Sequence, residues 1–189
     1  MKILRQLLFF LIALVVAAAI LSFMLPTHQK INRSLTINAP AQVIYDELKL
    51  LRNFNQVSVW GRQDSSLRYT FSGEDGQPGA TSSWKGDPEV SGEGKITILS
   101  LVPPNNITHT IEFSAPRKGK AESAFSLVEK DKNNTTVTWY FKLATPRPWN
   151  IFNLFFSLDK QMGKDFDDGL AFLKRYIETK QLINQPPAK

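Results

Sequence analysis

Hydrophobic and polar residues follow three patterns in succession along the chain. Residues 7–25 form one long, mostly apolar run without a charge. Residues 31–143 mostly alternate apolar with polar positions, and the C-terminal part repeats its apolar residues at three- and four-residue spacing. A run of the first kind is typical of a membrane helix, alternation is typical of β-strands, and the last spacing is typical of a helix with one buried face. The pattern therefore predicts an anchor, a sheet and a long helix.

The alternating region predicts an antiparallel sheet of six to seven strands, interrupted once by helix. "INRSLTIN" alternates through Ile31, Leu35 and Ile37 and predicts the first strand. "NAPAQVIYDELKLL" then predicts a helix with Asn38 as its cap and Pro40 in its first turn. The apolar stripe of this helix is Val43, Ile44, Leu48 and Leu51. "RNFNQVSVW" follows as a second short helix or an irregular corner.

Short turns separate the remaining strands and favour antiparallel pairing between neighbours. The segments that predict these strands are "LRYTFSG", "ATSSWKG", "GEGKITILSLVPP", "NITHTIEFSAP", "AESAFSLVEKD" and "NTTVTWYFKLA". We predict one long helix after them, from Trp149 to about Gln181. Its apolar stripe is Phe155, Leu158, Met162, Phe166, Leu170, Leu173 and Ile177.

Three aspartates, Asp165, Asp167 and Asp168, lie close together in this last helix. A step of about 100° per residue turns all three away from the buried stripe. Their spacing also fails the calcium-loop pattern, which needs a glycine at its sixth position and a glutamate at its twelfth. We interpret them as a solvated face. Gly169 lowers helix propensity, and its presence predicts that the helix lies close against the sheet.

The apolar run at residues 7–25 has about the length that crosses a bilayer. Lys2 and Arg5 precede it, which predicts a cytoplasmic N-terminus and a domain outside the cell membrane, either periplasmic or extracellular. A cleaved signal peptide is the alternative, because residues 17–19 resemble a cleavage site. Residues 20–25 continue apolar, which favours an uncleaved single-pass anchor. We predict an anchor and tether at 1–30, a domain at 31–182 and a frayed tail at 183–189.

Composition excludes several functions. The chain has no cysteine and only two histidines, so it has no disulfide and no thiolate zinc site, and a multi-histidine metal site is not expected. We predict no metal and no cofactor. The net charge is +6, but the basic residues are scattered except at Arg117, Lys118 and Lys120, so no nucleic-acid partner is expected. These three residues are either a solvated hairpin tip or a contact for anionic lipid headgroups.

The order of elements implies an α+β fold in which a curved sheet wraps a long C-terminal helix, often around an incompletely filled space. Five segments add a resemblance: "INAPAQVIYDEL", "WKG", "GEG", "TVTWYF" and "GKDFDDGLAFLK". In their order and spacing the chain resembles the START-like or Bet v 1-like (SRPBCC) superfamily, in its polyketide cyclase and lipid-transport branch. At the first corner, "NFNQVSVW" keeps only Trp60 where relatives often have two tryptophans.

This resemblance implies a helix-grip fold with an internal hydrophobic cavity for lipids, sterols, polyketides or other apolar molecules, and some members are enzymes. We predict a ligand site, with ordinary core packing as the alternative for each member. Its residues are His109, Ile111, Phe113, Trp139, Phe141, Phe155, Met162 and Phe166. The aromatic stretch "RPWNIFNLFF" forms a local core, covers the cavity mouth or touches the membrane.

Three functions remain open. The first is a membrane-tethered module that binds an apolar small molecule or lipid, with no catalytic residue. The second is an interaction domain with a filled core. The third is a cyclase- or dehydratase-type enzyme that uses His109, with Tyr69 or Tyr140 as helpers. We favour the first, because no serine or carboxylate is tied to His109 by a recognisable motif. The sequence names no protein partner.

Overall fold

The computed structural model describes residues 2–184. Its helices are α1 (Lys2–Met24), α2 (Ala41–Leu48), α3 (Leu51–Val57), α4 (Val59–Gln63) and α5 (Leu158–Asn184), with a 3₁₀ helix at Trp149–Leu154. Its strands are β1 (His28–Ile37), β2 (Arg68–Ser72), β3 (Thr81–Lys85), β4 (Glu93–Val102), β5 (Asn106–Ala115), β6 (Gly119–Asp131) and β7 (Asn134–Ala144). The predicted N-terminal apolar helix, the sheet and the long C-terminal helix are confirmed as elements; the membrane role of α1 stays a prediction.

All seven strands form one antiparallel sheet in the order β1-β7-β6-β5-β4-β3-β2. Each strand except β1 therefore pairs with its neighbour in sequence, as the short turns predict, and β1 closes the order beside β7. Helix α5 packs across one face of the curved sheet, and Phe166, Leu170, Leu173 and Ile177 are the buried stripe that it presents. The predicted α+β helix-grip architecture is confirmed.

One end of the sheet lies next to α1, the predicted anchor, and we call it the anchor end. Only residues 25–27 separate α1 from β1. His28 pairs with Ala144, and the backbone N–H of Thr145 donates to the carbonyl of Thr27 at 2.8 Å. Antiparallel pairing brings alternate strand starts and ends to this end. They are His28, Ala144, Gly119, Ala115, Glu93, Lys85 and Arg68.

The C-terminal helix is shorter than predicted, because α5 begins at Leu158 rather than at Trp149. The preceding segment is a 3₁₀ helix, and its buried residue is Asn150, whose side chain bonds to α1. The N–H of Leu158 is taken by the side chain of Gln29 on β1. These two long-range bonds set the start of α5 at Leu158, although the apolar spacing in the sequence continues upstream of it. Of the predicted frayed tail, residues 183 and 184 belong to α5, and residues 185–189 lie outside the described residues.

Helix α2, which the sequence predicts after the first strand, also starts differently from the prediction. Asn38 makes no cap, and Pro40 precedes the first turn of α2 without a side-chain hydrogen bond. The N–H of Ala41 donates instead to a carboxylate oxygen of Glu129, which lies on β6, at 3.1 Å. A carboxylate at this position satisfies a free N–H and the positive end of the helix dipole. Val43 is exposed, and Tyr45 takes its place in the buried stripe.

Gly169 lies where α5 packs closely against Trp139 of the sheet, as the sequence predicts. A β-carbon built there would lie 2.9 Å from the Trp139 ring and 3.2 Å from the Val57 carbonyl oxygen. Of the three nearby aspartates, Asp167 pairs with Arg33 on β1 at 3.1 Å and Asp168 pairs with Lys164. Within residues 2–184, no cluster of three or more potential metal ligands is placed to hold an ion.

Candidate functional site: an apolar cavity

A cavity of about 210 Å³ lies between the sheet and α5. Side chains from α3, α5 and strands β2 to β7, together with adjoining loops, form its walls. Most of them are aromatic or aliphatic. The lining residues are Phe54, Asn55, Ser58, Leu67, Tyr69, Trp84, Val90, Ser91, Ile96, Ile111, Phe113, Ser123, Trp139, Phe141, Met162 and Phe166.

Six of the eight predicted ligand-site residues line this cavity. They are Ile111, Phe113, Trp139, Phe141, Met162 and Phe166. Alternation along β5 and β7 and the stripe of α5 place them on the inner faces of their elements. His109 lies in the packed core and Phe155 lies on the surface. The sequence pattern therefore assigned the inward face correctly for every member except Phe155, but it did not separate the residues around the void from the rest of the core.

His109 is packed inside the core rather than beside the void. The residue is 0% exposed, and its ring centroid lies 5.2 Å from that of Phe54 and 6.4 Å from that of Phe125. Neither ring nitrogen has a hydrogen-bond partner within the described chain. Burial lowers the pKa of His109 to about 4. The imidazole is therefore neutral at physiological pH and is screened from a ligand in the cavity.

Phe155 lies outside the domain core, just after the 3₁₀ helix, and is 75% exposed. The sequence pattern placed it in the buried stripe of α5, three residues before Leu158. Since α5 begins only at Leu158, Phe155 does not share the orientation of that stripe. Its neighbours Phe152, Leu154 and Phe156 are exposed as well.

Trp139 forms the centre of the cavity wall. Its ring stacks on Phe125 with centroids 5.0 Å apart and lies 4.4 Å from the ring of Phe166. The indole N–H donates to Oγ of Ser123 at 2.9 Å, which satisfies the polar edge of the ring. Gly169 lacks a side chain where this ring passes. These contacts fix the wall without a ligand.

A few polar groups interrupt the apolar lining. Tyr69 presents a phenol from β2, and burial together with the charge of Asp64 raises its pKa to about 12. The phenol therefore keeps its proton at physiological pH and is able to donate a hydrogen bond to a ligand. The amide of Asn55 donates to Oγ of Ser82 at 2.8 Å. The polar lining residues are Asn55, Ser58, Tyr69, Ser91 and Ser123.

The sequence analysis missed the contributions of α3 and of β4 and β6. Ile96 occupies an inward position on β4, and alternation alone identifies it as a core residue, not as a cavity residue. Ser123 is a polar residue between the inward positions of Ala121 and Phe125. A polar side chain at a core position was the one available signal for a site there. Phe54 and Asn55 depend on the fold of the first corner, which the sequence left open.

The cavity opens toward the anchor end of the sheet. Along the inner face of β5, Ile107 is fully buried, Ile111 is 8% exposed and Phe113 is partly exposed. Exposure thus rises toward the end of β5 that pairs with the starts of β4 and β6. Val90, in the loop between β3 and β4, lines the cavity and is exposed to solvent. This loop forms part of the cavity rim.

Asp64 holds the rim loop in place. Its carboxylate accepts hydrogen bonds from the N–H of Asp87 at 2.8 Å, from Oγ of Ser66 at 2.6 Å and from the hydroxyl of Ser91. These donors, with the N–H of Ser66, hold the pKa of the Asp64 carboxyl well below its ordinary value. Gly86 passes so close that a β-carbon there would clash with this carboxylate.

We expect Asp64→Asn to loosen the rim loop and to flatten the acid limb of the stability curve. The folded-state pKa of Asp64 is depressed, so its contribution is present above the ordinary pKa of about 3.9 and is lost as pH falls further. Thermal unfolding of both proteins between pH 2 and pH 7 measures this difference. Glu74→Gln, at an exposed acid in the turn after β2, is the control and should leave the curve unchanged. Equal acid limbs for Asp64→Asn and the unsubstituted protein would contradict the role of Asp64.

Comparison with known proteins shows similarity in structure only. No protein-family model matches the chain, and no curated protein matches it in sequence. Norcoclaurine synthase from Thalictrum flavum, in complex with dopamine and hydroxybenzaldehyde, matches with a TM-score of 0.59 and 13% identity, over 84% of this chain and 89% of that chain. A point mutant of that enzyme, in complex with a transition-state analogue, gives 0.61 and 10%, over 82% and 96%.

A bacterial protein from Chromobacterium violaceum matches as well, with a TM-score of 0.55 and 13% identity, over 79% of this chain and 97% of that chain. Identities this low show the fold alone. The chain therefore has the Bet v 1-like helix-grip fold, and the resemblance seen in the sequence is confirmed at that level. Assignment to the polyketide cyclase and lipid-transport branch stays a prediction.

Proposed function

We propose that this protein binds a small apolar molecule in its internal cavity while α1 holds it on a membrane, and that it performs no catalysis. The observation that carries the proposal is the cavity of about 210 Å³ with its mostly aromatic and aliphatic walls. An engineered apolar cavity of about 150 Å³ in another protein binds benzene. A volume of this order suits a ligand somewhat larger than one aromatic ring and is small for a whole phospholipid.

The polar lining favours binding over reaction. Tyr69 supplies a hydrogen-bond donor for a carbonyl or hydroxyl oxygen of the ligand, and its raised pKa keeps it from acting as a base. The described lining residues include no carboxylate, lysine or histidine. His109, on which an enzymatic function depends, lies in the packed core. Tyr140 is exposed and is absent from the lining.

Three observations support the proposal. The void itself argues against a core filled by its own side chains. Norcoclaurine synthase is known in complex with dopamine and hydroxybenzaldehyde, so a protein of this fold accommodates small aromatic compounds. Helix α1 is long and apolar enough to cross a bilayer, and nearly all of its surface is exposed. We place the N-terminus in the cytoplasm and the domain outside, from the positions of Lys2 and Arg5.

The test measures ligand carried by the full chain. The protein is purified in mild detergent, analysed by native mass spectrometry and extracted with organic solvent. We expect a discrete added mass that extracts as a small apolar compound. Ile96→Phe projects a larger side chain from the cavity wall and should lower occupancy at least about tenfold, which is about 1.4 kcal/mol.

Leu99→Phe makes a comparable aliphatic-to-aromatic change on β4 at an exposed position outside the cavity and should retain the ligand. A clean mass for the unsubstituted protein, unchanged after incubation with small aromatic and isoprenoid compounds, would contradict the proposal. Equal occupancy in the two variants would also contradict it, because the ligand would then lie outside the cavity.

A further inference from the structure

The last turn of α1 is bonded to the 3₁₀ helix of the domain. Ser22 and Asn150 are both buried, and Oγ of Ser22 donates to Oδ1 of Asn150 at 2.6 Å. Nδ2 of Asn150 donates to the carbonyl of Ser22 at 2.8 Å and to that of Leu25 at 3.1 Å. The final carbonyls of a helix lack partners within it, so this one side chain caps the anchor from the domain.

Arg147 and Gln29 strengthen the same joint. The guanidinium of Arg147 donates to the carbonyls of Ser22 and Phe23, at 3.2 and 3.3 Å, and a cation is favourable at the negative end of a helix. Gln29 on β1 donates to Oδ1 of Asn153 at 2.8 Å and accepts the N–H of Leu158 at 2.8 Å. The 3₁₀ helix is thus tied to the anchor on one side and to the sheet and α5 on the other, which fixes the direction of α1 relative to the domain.

The segment that makes this joint is strongly apolar on its outside. Trp149 stacks on Phe152 with centroids 6.1 Å apart and an angle of 13° between the rings. The exposed members of this surface, which we call the aromatic collar, are Trp149, Phe152, Leu154, Phe155 and Phe156. Aromatic side chains are enriched where a membrane meets water, because the headgroup layer accepts both the ring and its polar edge.

The position of the collar matches the edge of a bilayer. Helix α1 has 23 residues, which gives a length of about 34 Å against a hydrocarbon core of about 30 Å. The collar is bonded to the last turn of this helix, where Phe23 and Met24 are also exposed. A helix that crosses the core therefore brings the collar to the level of the headgroups.

A basic hairpin lies at the same end of the domain. Ala121 pairs with Leu143, so the start of β6 lies beside the end of β7, which in turn pairs with His28 just after α1. The tip between β5 and β6 carries Arg117, Lys118 and Lys120, which are exposed and form no ion pair within the described chain. Basic residues near a membrane surface are attracted to anionic lipid headgroups.

We propose that the aromatic collar and the basic hairpin dock on the headgroup layer of the membrane that α1 crosses, so that the cavity mouth faces the bilayer. The occupant of this surface is a lipid bilayer with anionic headgroups. This inference rests on the proposed membrane anchorage by α1. It also names the source of the ligand, which is an apolar molecule dissolved in the bilayer, because the rim at Val90 and Phe113 lies at the anchor end.

Spin labels test this orientation in the full chain. Because the chain has no cysteine, one introduced cysteine gives one label. Phe155→Cys places a label in the collar, at a residue that is 75% exposed. Val128→Cys places one on β6 far from the anchor end, and Val15→Cys places one in α1; these residues are 59% and 61% exposed. Each protein is reconstituted in nanodiscs of phosphatidylcholine with about one third phosphatidylglycerol. Collision rates with oxygen and with a water-soluble nickel chelate give the depth of each label.

We expect the label at position 15 to lie within the hydrocarbon, the label at 155 to lie at headgroup depth and the label at 128 to lie in water. If the label at 15 lies in the hydrocarbon while the label at 155 is as exposed to water as the label at 128, the docking proposal is wrong although the proposed anchorage holds. In that case a protein partner becomes the candidate occupant of the collar. If 15 is aqueous, the proposed anchorage itself fails. If 128 is immersed together with 155, the proposed orientation is wrong.

A pair of isosteric variants tests the joint. Asn150→Asp removes both donors to the α1 carbonyls and should reduce the immersion of the label at 155 and increase its mobility. Asn153→Asp makes the same change three residues further on, keeps an acceptor for Gln29 and should leave the label as it was. Thermal unfolding of both variants checks that the domain is intact. Unchanged immersion in a folded Asn150→Asp protein would show that this joint does not set the orientation.

Discussion

Phe166→Ala is expected to lower the free energy of unfolding by about 3 kcal/mol and to enlarge the cavity. Phe166 is 0% exposed, and its ring contacts those of Trp139 and Phe141 at 4.4 and 5.4 Å. Truncating a buried phenylalanine costs about 3–5 kcal/mol in most cores. We place the loss at the lower end because one side of this ring faces a void, where it has fewer partner atoms to lose.

Urea unfolding of the full chain in detergent micelles, followed by tryptophan fluorescence, measures this loss. Leu173→Ala is the matched control, since Leu173 is equally buried on the same helix but does not line the cavity. Both variants should be destabilised, and only Phe166→Ala should change the size of apolar ligand that the protein retains. A loss below about 1 kcal/mol for Phe166→Ala would contradict the packing described here.

Acidification from pH 7 to pH 5 is expected to lower the free energy of unfolding by about 2 kcal/mol through His109 alone. The folded-state pKa of about 4 results from burial and lies below the ordinary value of about 6.5. Between these values the unfolded chain binds a proton that the folded protein does not. The stability therefore falls as pH drops through 6.5 and levels off below 4.

His109→Leu should remove this pH dependence and raise stability at pH 7, because both ring nitrogens lack partners among the residues that the structure describes. Urea titrations of the unsubstituted protein and of His109→Leu, each at pH 5 and pH 7, give the four free energies of unfolding that the comparison needs. His28→Leu, at the exposed second histidine, is the control and should keep the difference in stability between pH 5 and pH 7. A His109→Leu protein with the same difference as the unsubstituted one would show that His109 is not the responsible group.

The predicted effects at Phe166 and His109 separate two parts of one core. Phe166 borders the void, whereas His109 lies behind Phe54 and Phe125 in packed surroundings. Ligand retention should therefore respond to Phe166→Ala, and acid stability should respond to His109→Leu. If ligand retention responded to His109→Leu and not to Phe166→Ala, the histidine, not the aromatic wall, would be the group that contacts the ligand.

The local pattern of the sequence determined the elements of this protein. The uncharged run at residues 7–25 predicted α1, alternation predicted the strands, and the spacing from Leu158 to Ile177 predicted the buried face of α5. Periodicity succeeds here because an element with one buried face must repeat its apolar residues at its own geometric period. Gly169 was also predicted to mark a close approach, because a glycine inside a helix needs a reason.

Tertiary structure alone decided which inward residues surround a void and where the last helix begins. Ile111 and His109 share a face of β5, but only the shapes of Phe54, Phe125 and Trp139 determine which of them reaches the cavity. The break before α5 depends on the bond between Asn150 and Ser22, which are 128 positions apart. Periodicity reports the face on which a residue lies. It carries no information about partners from distant segments, and in this protein those partners fix both the cavity and the direction of α1.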